Sequence, residues 1–338
     1  MKKILVTGGA GYIGSHTIVD LVENGFDVIS IDNFSNSFPS SIENVSTVLE
    51  RKIKNYNIDL CDLETVEKVF EENSDIVGII HFAAFKYVNE SVEQPLKYYH
   101  NNLTSLNNVL TCCEKYNVRH FVFSSSCSVY GNAAKLPVTE QTPLAKAESP
   151  YAQTKVIGEQ IIGDFLAQYP LKSTLLRYFN PVGAHPSGKI GENPKGIAQN
   201  LLPRITGTAL GKYEQFVICG SDYETRDGTC IRDYIHVSDI AHAHTLALQW
   251  LISQDDKTCE VFNIGSGNGV TVKEMVNSFE SVSGEKLNYI MGERRHGDVV
   301  AIYADNTKAN TTLGWKCQFT LDSMMSTAWQ WDKSLHKE

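Results

Sequence analysis

Tyr151-Ala152-Gln153-Thr154-Lys155 sets a phenol and an ammonium four residues apart, a spacing that puts both on one face of a helix. Of the fifteen tyrosines, Tyr151 alone has a lysine at that offset. A tyrosine that takes a proton near neutral pH must ionise at about 7 instead of about 10, which requires roughly 4 kcal/mol of preferential phenolate stabilisation. A cation beside the phenol in a partly dry site supplies much of that, and a second positive charge can supply the rest. Ser126, closing the apolar run from Phe121 through Ser124-Ser125-Ser126, offers a hydroxyl to orient the same substrate oxygen, or caps backbone at a strand end.

A second constellation opens the chain. Gly8-Gly9-Ala10-Gly11-Tyr12-Ile13-Gly14 follows the apolar run Ile4 to Thr7 and starts a helical segment. Three glycines at these offsets arise by chance only ~0.1 times in a chain of this length. Gly8 suits a tight turn, Gly11 lets backbone approach a pyrophosphate, and Gly14 lets helix and strand pack closely. The helix N-terminus adds free N–H donors for the phosphates. Asp32 lies eighteen residues past Gly14, where a dinucleotide fold holds the adenosine ribose hydroxyls. Asn33-Phe34-Ser35-Asn36-Ser37 carries no lysine or arginine to welcome a 2′-phosphate, which favours NAD over NADP. Asp59 and Leu60 are placed for the adenine edge, although Asp59 suits a helix N-cap equally. Phe82, Ala83 and Lys86 follow a fourth apolar run, at the carboxyl edge where open sheets bind ligands. Lys86 is equally a solvated helix start.

The elements that must position these groups are legible as alternation. Apolar runs at Ile4–Thr7, Val28–Asp32, Ile53–Leu60, Ile76–Ala83, Phe121–Ser126 and Ser173–Asn180 suit buried parallel strands. Helical segments at Tyr12–Asn24, Leu63–Asn73, Val92–Tyr116 and Pro150–Gln168 separate them, which predicts an α/β fold with a doubly wound parallel sheet. Beyond Asn180, Pro181, Gly183, Pro186, Gly188, Gly191, Pro194 and Gly196 predict a long loop into a smaller lobe. Helices at Gln199–Leu210, Val237–Leu251, Val272–Ser283 and from Leu321, with strands at Phe216–Cys219 and Val261–Ile264, complete that reading. The expected division is 1–180 and 181–338, with some later segments returning to the first lobe.

The chain has 338 residues, 42% hydrophobic and 20% charged, a length and composition that suit two folded lobes. A net charge of −9 argues against a nucleic-acid polymer or an anionic membrane as partner, so any phosphate must be met by a local patch. The eight cysteines form no C-x-x-C pair and are expected as reduced thiols in a cytoplasmic protein. The apolar start is too short for a targeting h-region, and no run approaches a membrane span. His242 and His244, two apart on a helix, face different ways, and no metal site is expected.

Taken together, these stretches resemble the extended short-chain dehydrogenase/reductase family, with a Rossmann-type sheet and a smaller mixed α/β substrate-binding lobe. The matching segments include TGGAGYIGSH at Thr7–His16, HFAAFKYVNES at His81–Ser91, YYHNN at Tyr98–Asn102, SSSCSVYG at Ser124–Gly131 and SPYAQTK at Ser149–Lys155. LRYFNPVGAH at Leu176–His185, DGTCIRDYIHVSDIA at Asp227–Ala241 and RRHGDVVAIYAD at Arg294–Asp305 continue it. Within the family the likeness is to enzymes that epimerise UDP-hexoses at C4 through a transient 4-keto sugar, using tightly held NAD. The resemblance implies NAD contacts from Tyr12, Ile13, Asp32 to Ser37, Asp59, Leu60, Phe82, Ala83, Lys86, Asn101 and Phe179. It implies a catalytic group of Tyr151, Lys155 and Ser126, and UDP-sugar contacts from Asn180, Asn200, Leu201, Cys219, Arg232, Arg295 and Asp298. Guanidinium forks suit a diphosphate, although either arginine would also serve as an ion-pair partner. Ile302, intermediate in bulk, falls where the family gates its sugar pocket, leaving N-acetylated sugars open. Cys127-Ser128 stand where 4,6-dehydratases carry Asp-Glu for eliminating water, which disfavours that chemistry. The apolar helices at 92–116 and 150–168 are expected to pair with those of a second copy in a homodimer.

Overall fold

The computed structural model describes residues 1–295 and 298–336. Its first half runs β1 (Lys3–Thr7), α1 (Tyr12–Glu23), β2 (Asp27–Ile31), α2 (Pro39–Val48), β3 (Lys54–Tyr56), α3 (Leu63–Glu72), β4 (Ile76–His81), α4 (Val88–Glu93), α5 (Pro95–Lys115), β5 (His120–Ser126), α6 (Pro150–Gln168) and β6 (Lys172–Tyr178). The remainder runs β7 (Asn180–Val182), α7 (Leu201–Ala209), β8 (Phe216–Cys219), β9 (Ile231–His236), α8 (Val237–Ser253), β10 (Cys259–Ile264), β11 (Gly269–Thr271), α9 (Val272–Ser283), β12 (Tyr289–Gly292), β13 (Ala301–Ile302), α10 (Thr307–Leu313) and α11 (Leu321–Leu335).

Seven parallel strands form the large sheet in the order β10-β6-β5-β4-β1-β2-β3. Strands β1, β4 and β5 are buried along almost their whole length, as a parallel sheet covered on both faces requires. One face packs against α1, α2 and α8 through Ile18, Leu21, Val45, Ala243 and Leu248. The other packs against α3, α5 and α6 through Phe70, Leu106, Val109, Ile162 and Leu166. The chain winds one way through β2 and β3 and the other way through β4, β5 and β6. The resulting crevice lies between β1 and β4, the usual ligand position in such sheets. The smaller lobe centres on β9, flanked by parallel β7 and β13 and antiparallel β11, with β8 and β12 paired beside it. Its core includes Ile205, Ile218, Phe279 and Trp329 from α7, β8, α9 and α11.

Several boundaries differ from the sequence expectation for local reasons. The helix expected over 92–116 is two helices, because Gln94 (φ −130°, ψ 60°) precedes Pro95 and a proline drives its predecessor out of the helical region. The strand expected over 53–60 pairs only over Lys54–Tyr56, and the chain then bends, presenting Asp59 and Leu60. The strand expected to reach Asn180 stops at Tyr178. Phe179 donates its N–H to the Ile264 carbonyl at 3.0 Å, and Asn180–Val182 starts a strand of the other sheet. Helix α2 lies outside the sequence expectation because its apolar rhythm is weak, with Ile42 and Val45 its buried residues. Strand β9 reads as half-charged, but Asp233 is buried and accepts from Ser266 N, Ser266 Oγ, Gly267 N and Ala304 N at 2.6–3.1 Å. Segments after residue 180 also join the large sheet: β10 forms its edge and α8 covers α1.

Candidate active site

The glycine-rich turn has no room for a side chain at Gly8 or Gly14. Gly8 sits at φ +71°, and a Cβ there would lie 2.9 Å from Ala83 N. A Cβ on Gly14 would lie 2.2 Å from the Gly8 carbonyl oxygen. Gly11 donates its N–H to that carbonyl at 3.0 Å and forms the N-cap of α1, with no side-chain cap and no acidic residue in the first turn. The first-turn N–H donors and the helix dipole are thus left for an anion. Asp32 braces the turn from β2. Its Oδ2 accepts from Ala10 N at 3.0 Å, and Oδ1 accepts from Phe34 N at 2.9 Å and Ser37 Oγ at 2.7 Å. This close-packed backbone with a carboxylate at its edge fits a dinucleotide such as NAD.

A single cleft of about 380 Å³ begins at this turn, lined there by Gly8, Gly11, Tyr12, Ile13 and Gly14. It continues past Asp32, Asn33, Ser35, Asn36, Ser37, Asp59, Leu60, Phe82, Ala83, Lys86 and Asn101. Phe34, in left-handed backbone at φ +56°, is not among its lining residues. Asp62, and not Asp59, caps α3, so Asp59 stays at the cleft with its carboxylate accepting from Cys61 N at 2.8 Å. One cation that sequence reading missed reaches this end: Lys195 donates to the Phe34 carbonyl at 2.5 Å and lies over the Phe38 ring.

At the other end of the cleft stand Ser126, Tyr151, Lys155, Phe179, Asn180 and Asn200. Strand β5 delivers Ser126 at its tip, and α6 delivers Tyr151 and Lys155, its start fixed by Pro150 and by Ser149 Oγ accepting from Ala152 N at 3.2 Å. Ser126 both faces the cleft and caps the single 3₁₀ turn at Cys127–Tyr130, accepting from Ser128 N at 3.2 Å. Lys155 is 4% exposed, donates to the Ser124 carbonyl at 2.7 Å, and holds its ammonium 6.0 Å from the centre of the Tyr151 ring. Burial brings Lys155 down to about 8, with Glu159 pulling the other way. Burial pushes the Tyr151 phenol well up, against the opposing hydrogen bond from Ser126.

Sequence reading missed the support beneath this pair. Glu159, one turn beyond Lys155, receives Arg177 through two bonds of 2.6 and 2.9 Å and Ser125 Oγ at 2.5 Å, all buried. Arg177 also donates to the Tyr130 hydroxyl at 3.0 Å. Tyr178 lines the cleft with its hydroxyl 2.7 Å from Ser124 Oγ. Lys86 and Asn200 share one partner, Glu192, which no local pattern marks.

The remaining expected contacts gather on the smaller lobe and do not line this cleft. Arg232 on β9 donates to the Ile231 and Val299 carbonyls and, at 3.2 Å, to Asp298. Arg295 points a guanidinium nitrogen at Cys219 Sγ, 3.9 Å away. Leu201 is the first residue of α7, whose N-cap Asn200 makes no side-chain cap bond. Ile302, opposite Arg232 in the β9–β13 register, is 6% exposed in a cluster with Val129, Tyr130, Val138, Phe179 and Ala304. His242 pairs with Asp20, and His244 Nδ1 lies 2.8 Å from the Ile240 carbonyl.

The family model described as GDP-mannose 4,6-dehydratase matches residues 5–328. The chain is 47% identical to UDP-glucose 4-epimerase of Bacillus subtilis over 332 residues, 98% of this chain and 97% of that one. It is 45% identical to the UDP-glucose 4-epimerase of Pasteurella multocida, with the same coverage of 98% and 97%. Among solved structures it resembles UDP-glucose 4-epimerase from Bifidobacterium longum in complex with NAD+ and UDP, at TM-score 0.94, 43% identity and 98% coverage of both chains.

Proposed function

We propose, from the premise that the chain belongs to the GDP-mannose 4,6-dehydratase family, the extended short-chain dehydrogenases and reductases, that it is an NAD-dependent isomerase inverting C4 of UDP-hexoses. It interconverts UDP-galactose and UDP-glucose, and its place is in galactose metabolism. The observation that carries this reading is one cleft holding the glycine turn at one end and Ser126, Tyr151 and Lys155 at the other.

NAD, held at the glycine turn, would supply a reversible hydride acceptor for C4 of the sugar. The chain's own groups manage the proton. Tyr151 takes it from the 4-hydroxyl, Ser126 donates to the same oxygen, and Lys155 holds the phenolate by charge. After the 4-keto sugar turns over, Tyr151 returns the proton. Burial alone keeps the phenol protonated, so Lys155 and a positive cofactor ring together must offset that penalty as well as supply the roughly 4 kcal/mol that an unburied phenol needs to ionise near neutral pH. The first-turn N–H groups after Gly11 hold the cofactor pyrophosphate, Asp32 the ribose, and Asp59, Leu60, Phe82, Ala83, Asn101 and Phe179 its remaining surfaces.

For the substrate, Arg232 and Arg295 bind the diphosphate together with the uncapped start of α7 at Leu201. Asp298 accepts from the uridine ribose, Cys219 borders the base, and Asn180 and Asn200 meet the sugar, with Ile302 setting room behind it. Water elimination is disfavoured, although the family model bears a dehydratase's name. Among the described residues, the carboxylates lining the cleft are Asp32 and Asp59, at the β2 and β3 end, while Cys127 and Ser128 follow Ser126. We further infer a homodimer through α5 and α6. A cytoplasmic setting is supported by eight free thiols.

The test is conversion of UDP-galactose to UDP-glucose, with its N-acetylated counterpart assayed in parallel. Tyr151→Phe is expected to lower kcat at least ~1000-fold while the protein still binds NAD, combining loss of the acid–base step with loss of oxygen orientation. A Tyr151→Phe rate near that of the unmodified chain would overturn the assignment.

A further inference from the structure

Glu192 lies in the loop between β7 and α7, with its side chain 10% exposed. One oxygen, Oε1, accepts from two donors: Lys86 Nζ at 3.1 Å and Asn200 Nδ2 at 2.6 Å. Those donors reach it from opposite sides. Lys86 follows β4 in the large sheet, Asn200 is the N-cap of α7 in the smaller lobe, and both line the cleft.

The backbone that carries this side chain is also fixed. Trp331 on α11 donates its indole N–H to the Glu192 carbonyl at 3.0 Å. The loop lies so close on that indole that a Cβ on Gly191 would sit 2.3 Å from the ring. Burial is the largest influence on the Lys86 ammonium and works against it, yet the charge and hydrogen bond of Glu192, with Tyr87 and Tyr178, together outweigh it, and the lysine ends above its ordinary value. A fixed, charged acceptor shared by two cleft donors couples their positions, because neither can leave without changing what the other meets.

We infer that Glu192 is a positioning residue which, through Lys86 and Asn200, sets the two walls of the cleft for the hexose of the substrate. This rests on the epimerase reading above. Glu192 is not required to touch the sugar. Removing its charge loosens two contacts at once, so the effect falls on capture of the UDP-hexose more than on the proton step at Tyr151.

The experiment uses the full chain with bound NAD. Glu192→Gln is expected to raise KM for UDP-galactose about tenfold or more while kcat stays within about threefold, since hydrogen bonds to charged partners are the stronger ones. Glu192→Asp keeps the charge but is one methylene too short to meet both donors, and it should also raise KM while preserving the fold. The decisive comparison places Glu192→Gln in a Lys86→Met background. If Glu192 acts through Lys86, its KM penalty there shrinks at least threefold, whereas a merely structural role gives penalties that multiply unchanged. Unchanged multiplication, or a KM for Glu192→Gln within twofold of the parent, overturns the inference. Absence of turnover by the parent chain overturns the epimerase reading instead, so the two failures are distinguishable.

Discussion

Lys155 carries the electrostatics of the proton step. It is buried beneath the phenol, tied to the Ser124 carbonyl, and held by burial at about 8, so near neutral pH it is largely protonated. Removing that cation leaves a phenol already pushed up by burial with less reason to ionise. Lys155→Met is therefore expected to lower kcat ~100-fold near pH 7. It should also move the acid limb of the pH–rate profile upward by about a unit or more, since the base then deprotonates only at higher pH. A profile whose acid limb stays in place would show that Lys155 does not tune Tyr151. At this scale the sequence was informative where chemistry is local. Tyr151 and Lys155 share one helix face, and Gly8, Gly11 and Gly14 share one turn, so spacing alone exposes them. Glu159, Tyr178, Glu192 and Lys195 were silent because, apart from Asn200 eight residues past Glu192, their partners are 18 to 161 residues away in the chain.

At the scale of elements, α1 and α8 meet on one face of the large sheet, and His242 on α8 lies 3.1 Å from Asp20 on α1. The hydrogen bond to Asp20 raises His242 above its usual value against the pull of burial, and Asp239 adds to the rise. A histidine whose folded value is raised stabilises the fold fully below its unfolded value of about 6.5, and the contribution fades as pH rises through the folded value. His242→Asn is thus expected to cost about 0.5–1 kcal/mol at pH 6 and almost nothing at pH 9. Urea unfolding of both proteins at the two pH values measures it, and an equal gap at both would rule the pair out as the source. Elements with strong apolar runs, such as β1, β4, β5 and α6, were legible as sequence. Those stabilised by tertiary contacts were not: β9 carries the buried Asp233, whose carboxylate is satisfied by hydrogen bonds from Ser266, Gly267 and Ala304, and α2 buries only two side chains.

At the scale of the molecule, the apolar side chains Val88 and Val92 on α4 and Leu96 at the start of α5 are 49%, 61% and 81% exposed. Such surface beside α6 supports the proposed pairing of two copies. Sedimentation at micromolar concentration is expected to give twice the 37.6 kDa chain mass, and a monomer there would exclude it. The overall charge of −9 also acquires a meaning. An acidic surface keeps polyanions away, while on the smaller lobe Arg295 stands with the Arg232–Asp298 pair at the place proposed for a single diphosphate.

The path of the chain constrains how such an enzyme changes its substrate. Only Phe179 separates β6 of the large sheet from β7 of the smaller one, and the chain later returns with α8 and β10 before leaving again. The smaller lobe is therefore not a cassette. A genetic exchange of everything after Asn180 would carry away the edge strand that receives Phe179 and the helix that covers α1. If Ile302 sets room for the sugar as proposed, innovation in sugar preference falls to single substitutions there and along the loops, within a scaffold that cannot be traded as a unit.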